Sequence, residues 1–459
     1  MPERTNPAPS PLPHGPRRAD LVSESRLVLP LRLSSEAIAA NAVSVSPRLP
    51  VLPLVAIAFA TFISVTIEML PTGLMHLMAP DLGVSNAMIG LLMSVFAFTV
   101  ALTSTPLTHL TRRLPRHTML IVVLGLFALG SIGTAVAHTY PLVLATRIFT
   151  GLAHGLFWAV VASYTALIVP KQLLTKGVSI TLGGGSAAFV LGVPIGTFLG
   201  QLFGWRLTFG VLAGLTLAVV VVLWLVLPRV DRNDVRLQTA PIEVPTTLTG
   251  SINVGEVMRP VPTGPRRSFG AVLLVCALAW VTMTAQYAAY SYITPFVLDV
   301  VHVPEQYLSL VLFGYGVASA AGTLTTGILF GGRPRIGMSV TFVLLLLGVG
   351  IIAIAPSLWI AISAIAVWGV AMGFMPTLMQ TRLLLAAPRN IRDVSAALYT
   401  SSFNLGIGGG ALIGGVLLEH FGIGVLMPFF LVVVAIAFAG SLVIDAVQVR
   451  AARAATRDH

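Results

Sequence analysis

From residue 53 onward the chain alternates between long, nearly uncharged apolar stretches and short polar connections. The apolar stretches fall at 53–76, 87–108, 117–137, 141–168, 177–203 and 206–227, and again at 270–297, 307–330, 336–355, 358–386, 393–418 and 423–446. Each is close to the roughly 20 residues that a helix needs to cross the hydrocarbon of a bilayer. A polar, proline-containing stretch over 228–268 separates the two sets. The pattern predicts an all-α membrane protein with twelve transmembrane helices in two six-helix, pseudo-symmetric bundles. The bundles cover 49–228 and 269–446, with a linker at 229–268 and a short tail at 447–459. Residues 1–48, rich in Pro, Ser and Arg, read as a disordered tail. No basic segment leads directly into an apolar run with a cleavage site, so no cleaved signal peptide is expected.

Composition agrees with the pattern. Of 459 residues, 56% are hydrophobic and 9% charged, whereas soluble domains carry about 25% charge. The net charge of +11 raises the question of nucleic acid, but the basic residues alternate with the apolar spans. Arg112, Arg113 and Arg116 follow the second span, and Lys171 and Lys176 the fourth. Arg333 and Arg335 follow the eighth, Arg389 and Arg392 the tenth, and Arg450 and Arg453 the twelfth. The opposite connections hold no Lys or Arg, and Arg206 alone breaks the alternation. By the positive-inside rule both termini and the central linker are cytoplasmic. The partners implied are a lipid bilayer and a small molecule, not nucleic acid. The single cysteine, Cys276, excludes an internal disulfide and leaves no plausible metal cluster, so no cofactor is expected.

Gly192, Gly196, Gly200 and Gly204 stand four apart in the fifth span, with Pro194 among them. On a helix this spacing makes a bare seam where another backbone packs closely, and the proline marks a place to bend or slide. The spacing assigns Gly192, Pro194, Gly196 and Gly200 to a gating contact. The chain also repeats itself at a shift of 218: Gly151-Leu-Ala-His-Gly155 matches Gly369-Val-Ala-Met-Gly373, and Gly192 and Gly196 fall on Gly410 and Gly414. Pro115-Arg116 matches Pro334-Arg335 at a shift of 219.

Four stretches together resemble a known family: IEMLPTGL (67–74), RIFTGLAHGLFWAV (147–160), LGVPIGTFLGQLFGWRLTF (191–209) and FNLGIGGGALIGG (403–415). They are similar to the sugar-efflux and chloramphenicol-resistance type of drug:proton antiporter in the major facilitator superfamily. The resemblance covers Leu52 to about Asp445. It implies two parallel six-helix repeats with a substrate cavity between them near the midplane. The loop after the second span departs from the superfamily's usual pattern: it reads Thr108-His-Leu-Thr-Arg-Arg-Leu-Pro-Arg-His117, with Arg112 in place of the aspartate. A gating role for Arg113 and Arg116 then rests on helix ends or anionic lipid.

Chemistry is concentrated in a few ionisable residues within the spans. Glu68 lies in mid-span, where an intramembrane carboxyl faces the bundle interior and is by default functional. Loss of water disfavours its charged form, as a proton carrier requires; the alternative is a structural, hydrogen-bonded glutamate. Arg147 and His154 share one azimuth of the fourth span, with Trp158 one turn beyond. Arg147 either faces the cavity and holds an anionic group or snorkels outward as an anchor. His154 either relays protons or is hydrogen-bonded in the packing. At the repeat shift these three positions become Gln286, Ile365 and Met372, all neutral. The first half is therefore expected to couple to protons through Glu68, His154 and Arg147. The second half is expected to shape a substrate cavity, with Gln286, Tyr290, Met372 and Asn404 as contacts beside Trp158. The sequence reading is a proton-driven exporter of a small organic molecule, functioning as a monomer in the cell inner membrane. A sugar or metabolite uniporter or importer is the alternative. A membrane sensor or scaffold would want a large soluble domain, and an enzyme would want a nucleophile–base pair, metal cluster or phosphate loop.

Overall fold

Among the described residues, twelve helices long and apolar enough to cross a membrane follow one another along the chain. The structure is a computed structural model, and it describes residues 49–111, 114–170, 173–228, 268–354, 357–388 and 391–457. The first half holds α1 (Val51–Leu82), α2 (Asn86–Thr111), α3 (Arg116–Ala135), α4 (Tyr140–Ile168), α5 and α6 (Trp205–Val226). The second holds α7 (Phe269–Tyr290), α8 (Leu308–Phe330), α9 (Pro334–Ile354), α10 (Leu358–Ala386), α11 (Arg392–Phe421) and α12 (Leu426–Arg457). There is no strand among the described residues. The tail 1–48, the linker 229–267, Arg112 and Arg113 lie outside the described residues.

Prolines set the irregular places. Helix α5 runs from Leu174 to Phe203 but is interrupted by a π turn at Ala188–Gly192. Pro194 has no N–H for the Val190 carbonyl, and the Val193 N–H reaches Ala188 instead. The seventh span, expected as one helix over 270–297, in fact stops at Tyr290. It resumes at Ile293–Pro295 and ends in a second π turn, Phe296–Val300. Pro295 likewise removes the N–H that would have bonded to Ser291.

The repeat seen in the sequence is a repeat of the backbone. A shift of 218 carries residues 174–203 of α5 onto 392–421, the bounds of α11. Each helix ends at a glycine of positive φ, Gly204 at 85° and Gly422 at 78°, a conformation that glycine adopts without penalty. Gly204 is thus a helix terminator and not a member of the seam.

The apolar interior divides between the halves. One cluster is built from α1 to α4 and α6, with Tyr292 and Leu426 added, and takes nothing from α5. The other is built from α7 to α12 with Val65, Met69, Met93, Ala97, Ala188 and Val193 added. Across the divide, α2 packs on α11 and α5 on α8, crossings that the repeat relates to each other.

The glycine seam faces a different partner from the one a gate would need. A methyl group at Gly192, Gly196 or Gly200 would strike Thr66, Leu70 or Leu74, all on α1 of the same half. Its counterparts Gly410 and Gly414 meet the backbone of α7 at Thr284 and Ala288. The seams bind each half internally. Close approach between the halves falls at Gly316 of α8, against the Phe189 carbonyl, and at Gly408 of α11, against Phe98. Under the repeat these two contacts exchange places, glycine for bulky residue.

Candidate functional site

A cavity of about 420 Å³ lies between the halves. Its wall comes from the first part of α5 and α11, the middle of α1, α4 and α8, the later part of α10 and the last turns of α7. It therefore extends from the midplane toward the end of the bundle where α1 begins and α12 ends. The opposite end is closed by contacts across the divide. Thr294 Oγ1 of the second half donates to the Thr72 carbonyl of the first at 2.7 Å. Tyr292, whose OH bonds the Ala411 carbonyl of its own half at 2.7 Å, packs into the first-half core and against Gly90. Gln201 Nε2 donates to the Glu305 carbonyl at 2.6 Å, and His76 Nε2 lies 3.2 Å from Glu305 Oε1.

Seven of the residues singled out in the sequence reach the cavity: Glu68, His154, Trp158, Gln286, Tyr290, Met372 and Asn404. On the first-half side, Glu68 Oε2 stands 3.4 Å from His154 Nε2. Trp158 Nε1 donates to the same His154 nitrogen at 2.7 Å, and Ser64 Oγ is 3.0 Å from His154 Nδ1. An indole N–H only donates, so His154 Nε2 is an acceptor. The ring is then neutral, with its proton on Nδ1 directed at Ser64. A carboxyl and an imidazole at this separation form a pair between which a proton can pass.

Arg147 corrects both readings made from the sequence. It neither lines the cavity nor snorkels outward; it is buried, 1% exposed. Nη1 donates to the Ile67 carbonyl at 3.0 Å and Nη2 to the Glu68 carbonyl at 2.7 Å. The guanidinium carbon also sits 4.5 Å from the Phe96 ring centre. Its planar fork suits two neighbouring carbonyls, and it pins α1 at the residue that carries the carboxyl.

On the second-half side Gln286 is held just as firmly. Trp368 Nε1 donates to its Oε1 at 2.8 Å, and its Nε2 donates to Tyr315 OH at 3.1 Å. Tyr290 stacks on Tyr315 with centroids 4.9 Å apart. Asn404 Nδ2 donates to the Thr400 carbonyl of its own helix at 3.0 Å. Tyr315, Trp368 and the cavity residue Gln380 escaped the sequence reading. Tyr315 and Trp368 have no charged residue near them along their helices, and a tyrosine or tryptophan in a span reads equally well as packing or interface. Gln380 stands two residues from Arg382, and that landmark went unread.

Gating candidates lie elsewhere. Pro194, Gly192, Gly196 and Gly200 pack against α1, Arg116 opens α3 away from the cavity, and Arg113 is outside the described residues. The exceptional Arg206 also finds its reason. It bonds the Asp81 carboxylate, which Trp205 Nε1 also contacts at 2.9 Å, so its charge is neutralised where the positive-inside rule offers no support. A buried ion pair went unread as well: Arg382 Nη2 lies 2.5 Å from Asp445 Oδ1. It ties α10 to α12 where the equivalent Tyr164 of α4 bonds the Pro228 carbonyl at 2.6 Å.

Known proteins bear on this architecture. A sequence profile described as Major Facilitator Superfamily matches residues 57–329 and 275–457. A "Probable sugar efflux transporter" of Mannheimia succiniciproducens is 31% identical over 80% of this chain and 87% of its own length. One of Helicobacter pylori is 28% identical over 80% of this chain and 88% of its own. Among solved structures, a peptide transporter POT mutant in complex with alafosfalin aligns at TM-score 0.66 and 14% identity. It covers 87% of this chain and 95% of its own. A D-xylose-proton symporter aligns at TM-score 0.65 and 16% identity over 85% and 96%. These two structures share the fold. With a family profile spanning both halves and an efflux relative matched over most of its length, this multi-pass membrane protein belongs to the Major Facilitator Superfamily of transporters.

Proposed function

We propose that the protein exports a neutral, hydroxyl-bearing small molecule of sugar-like polarity in exchange for protons, by alternating access of its two halves. The observation that carries this reading is the cavity wall. Glu68 is the sole carboxyl among the lining residues, His154 is its partner, and the remaining polar lining is neutral. Such a wall offers hydrogen bonds and aromatic faces to an uncharged solute and one site for a proton. The names of the efflux relatives support both the substrate class and the direction. The loop charges support cytoplasmic termini in the cell inner membrane, which makes this the inward-facing state, open to receive cytoplasmic substrate. Residues 49–228 supply the proton site through Glu68, His154 and the backbone clamp Arg147. Residues 269–446 supply the substrate wall through Gln286, Tyr290, Met372 and Asn404. The π turn before Pro194 gives α5 slack on its seam of Gly192, Gly196 and Gly200, and Arg116 meets helix ends or lipid at the inner surface. The chain works as a monomer, as a carrier and not an enzyme.

The test is transport in proteoliposomes under an imposed pH gradient, following labelled glucose, xylose, lactose and sucrose together with internal pH. Counterflow of sugar against protons supports the reading. Sugar movement that ignores the gradient favours a uniporter, and movement in the same direction as protons favours an importer.

A further inference from the structure

His154 has one acceptor lone pair in the tautomer that its contacts define, and two groups claim it: the Trp158 indole at 2.7 Å and the Glu68 carboxyl at 3.4 Å. The indole holds it here. A protonated Glu68 then has no vacant acceptor on His154, because the lone pair is engaged and Nδ1 already carries its hydrogen toward Ser64. Glu68, His154 and Trp158 all line the cavity, and Trp158 is the least buried of the three. Its ring edge lies beside Gly185. No side chain of Gly185 stands against the indole, so its N–H can turn toward an acceptor that a bound substrate brings into the cavity.

We propose that Trp158 is a lock on the proton site, released by the substrate: a hydroxyl or ring oxygen that accepts the indole N–H frees His154 Nε2 to receive the proton of Glu68. In that step the O–H bond of the Glu68 carboxyl breaks, its electron pair stays on the carboxylate, and an Nε2–H bond forms on an imidazolium facing that carboxylate. From there the proton leaves to water in the cavity. Substrate binding thus discharges Glu68, which is the order of events an exchanger needs in its inward-facing state. The inference rests on the proton-exchange reading above. The charged and titratable groups around His154 are Glu68 on α1, Arg147 two turns back on α4 and Tyr287 across the cavity on α7. Helices α2 and α3 present Phe96 and Phe127, and the lining segment of α5 presents no titratable side chain.

Trp158→Phe keeps the aromatic ring and removes the N–H, so Trp158 is tested as a positioning residue. The purified full chain is titrated in weak buffer with the best binder among glucose, xylose, lactose and sucrose, and proton release is read with a pH dye. Wild type releases protons as sugar binds. Trp158→Phe, titrated to sugar saturation, binds the sugar more weakly and loses the release, because Glu68 has discharged beforehand. Ser64→Ala, which removes the group holding the proton on Nδ1, weakens the release in the same direction and decides the matter should Trp158→Phe not fold. Release from Trp158→Phe equal to wild type overturns the lock while leaving proton exchange intact. A wild type that binds sugar with no proton release overturns the exchange reading and the lock together.

Discussion

At positions related by the 218-residue repeat, α1 carries Glu68 and α7 carries Gln286, and the surroundings of the two side chains differ as much as their charge. Glu68 meets a histidine whose second nitrogen is held by Ser64, with a buried arginine gripping the backbone beneath it. Gln286 meets Trp368 and Tyr315, which engage both ends of its amide without any ion. The equivalent of Arg147 is Ile365 and that of His154 is Met372. Two halves with one backbone plan have thus separated a site that can change charge from a site that cannot. The lesson is one of cost. A charge within the membrane demands partners on several helices, so a second one at the mirror position would repeat that cost where a neutral hydrogen-bonding wall suffices.

The comparison breaks most sharply at Glu68. Glu68→Gln makes the first half resemble the second and imitates the protonated carboxyl without allowing release. Gradient-driven accumulation is expected to be lost while equilibrium binding and exchange of substrate persist. Proteoliposome transport beside binding measures both, and coupling retained near wild type would return Glu68 to a structural role.

Next in size is the contact between the halves against the contact within one. Gly316→Leu forces a side chain into the Phe189 carbonyl of α5, backbone that cannot move aside. It is expected to lower transport at least tenfold by disfavouring this packed state, with the protein still folded. Gly196→Leu presses instead on the flexible end of Leu70 within the first half. Its damage is expected in thermal stability first, about 1–3 kcal/mol as for an overpacked core. The two effects separate when transport is normalised to folded protein, and equal loss of transport in both variants would restore a gating role to the seam.

A smaller effect tests the neutral wall. Gln286→Ala leaves Trp368 Nε1 without its acceptor, a loss of about 1–3 kcal/mol for an unsatisfied buried group. Substrate affinity is expected to fall, with proton dependence unchanged. Isothermal titration at several pH values reads this, and a changed pH profile would mean that the halves share the proton site.

The smallest effect belongs to the far end. His76 and Glu305 join the halves there, but the Glu305 side chain is 58% exposed, and exposed pairs are worth about 0–1 kcal/mol. Glu305→Gln is expected to shift the balance of inward and outward forms less than tenfold. Accessibility of a cysteine placed on that side measures it, and a larger shift would make this contact a principal latch.

Much of this architecture was legible before any coordinates. Twelve apolar stretches, the six-and-six division and the 218-residue repeat all follow from local composition and spacing. The helices follow those stretches except for the π turn within α5, the break in the seventh span after Tyr290 and the extension of α12 to Arg457. Glu68, His154 and Trp158 were also findable, because a charge or imidazole in a hydrophobic span stands out and helical spacing places His154 and Trp158 on one face. Arg147 shows where such reading stops: its azimuth was right, but neither a cavity nor a lipid anchor was its destination. The glycine seam shows the same thing, its spacing announcing close packing and saying nothing of the partner.

The sequence by itself determined the spans, the repeat and the position of the chemistry, because a bilayer imposes length and hydrophobicity on every crossing segment. Only the tertiary structure decided which side chains meet across helices. Lipid and protein interior are alike apolar, so a span carries little sign of which face turns inward. That is why the Trp158 indole on His154, the Arg147 fork on the carbonyls of α1, and the Trp368–Gln286–Tyr315 chain all required the folded chain. Each joins partners by a hydrogen bond whose direction and valence exist only once the helices are packed.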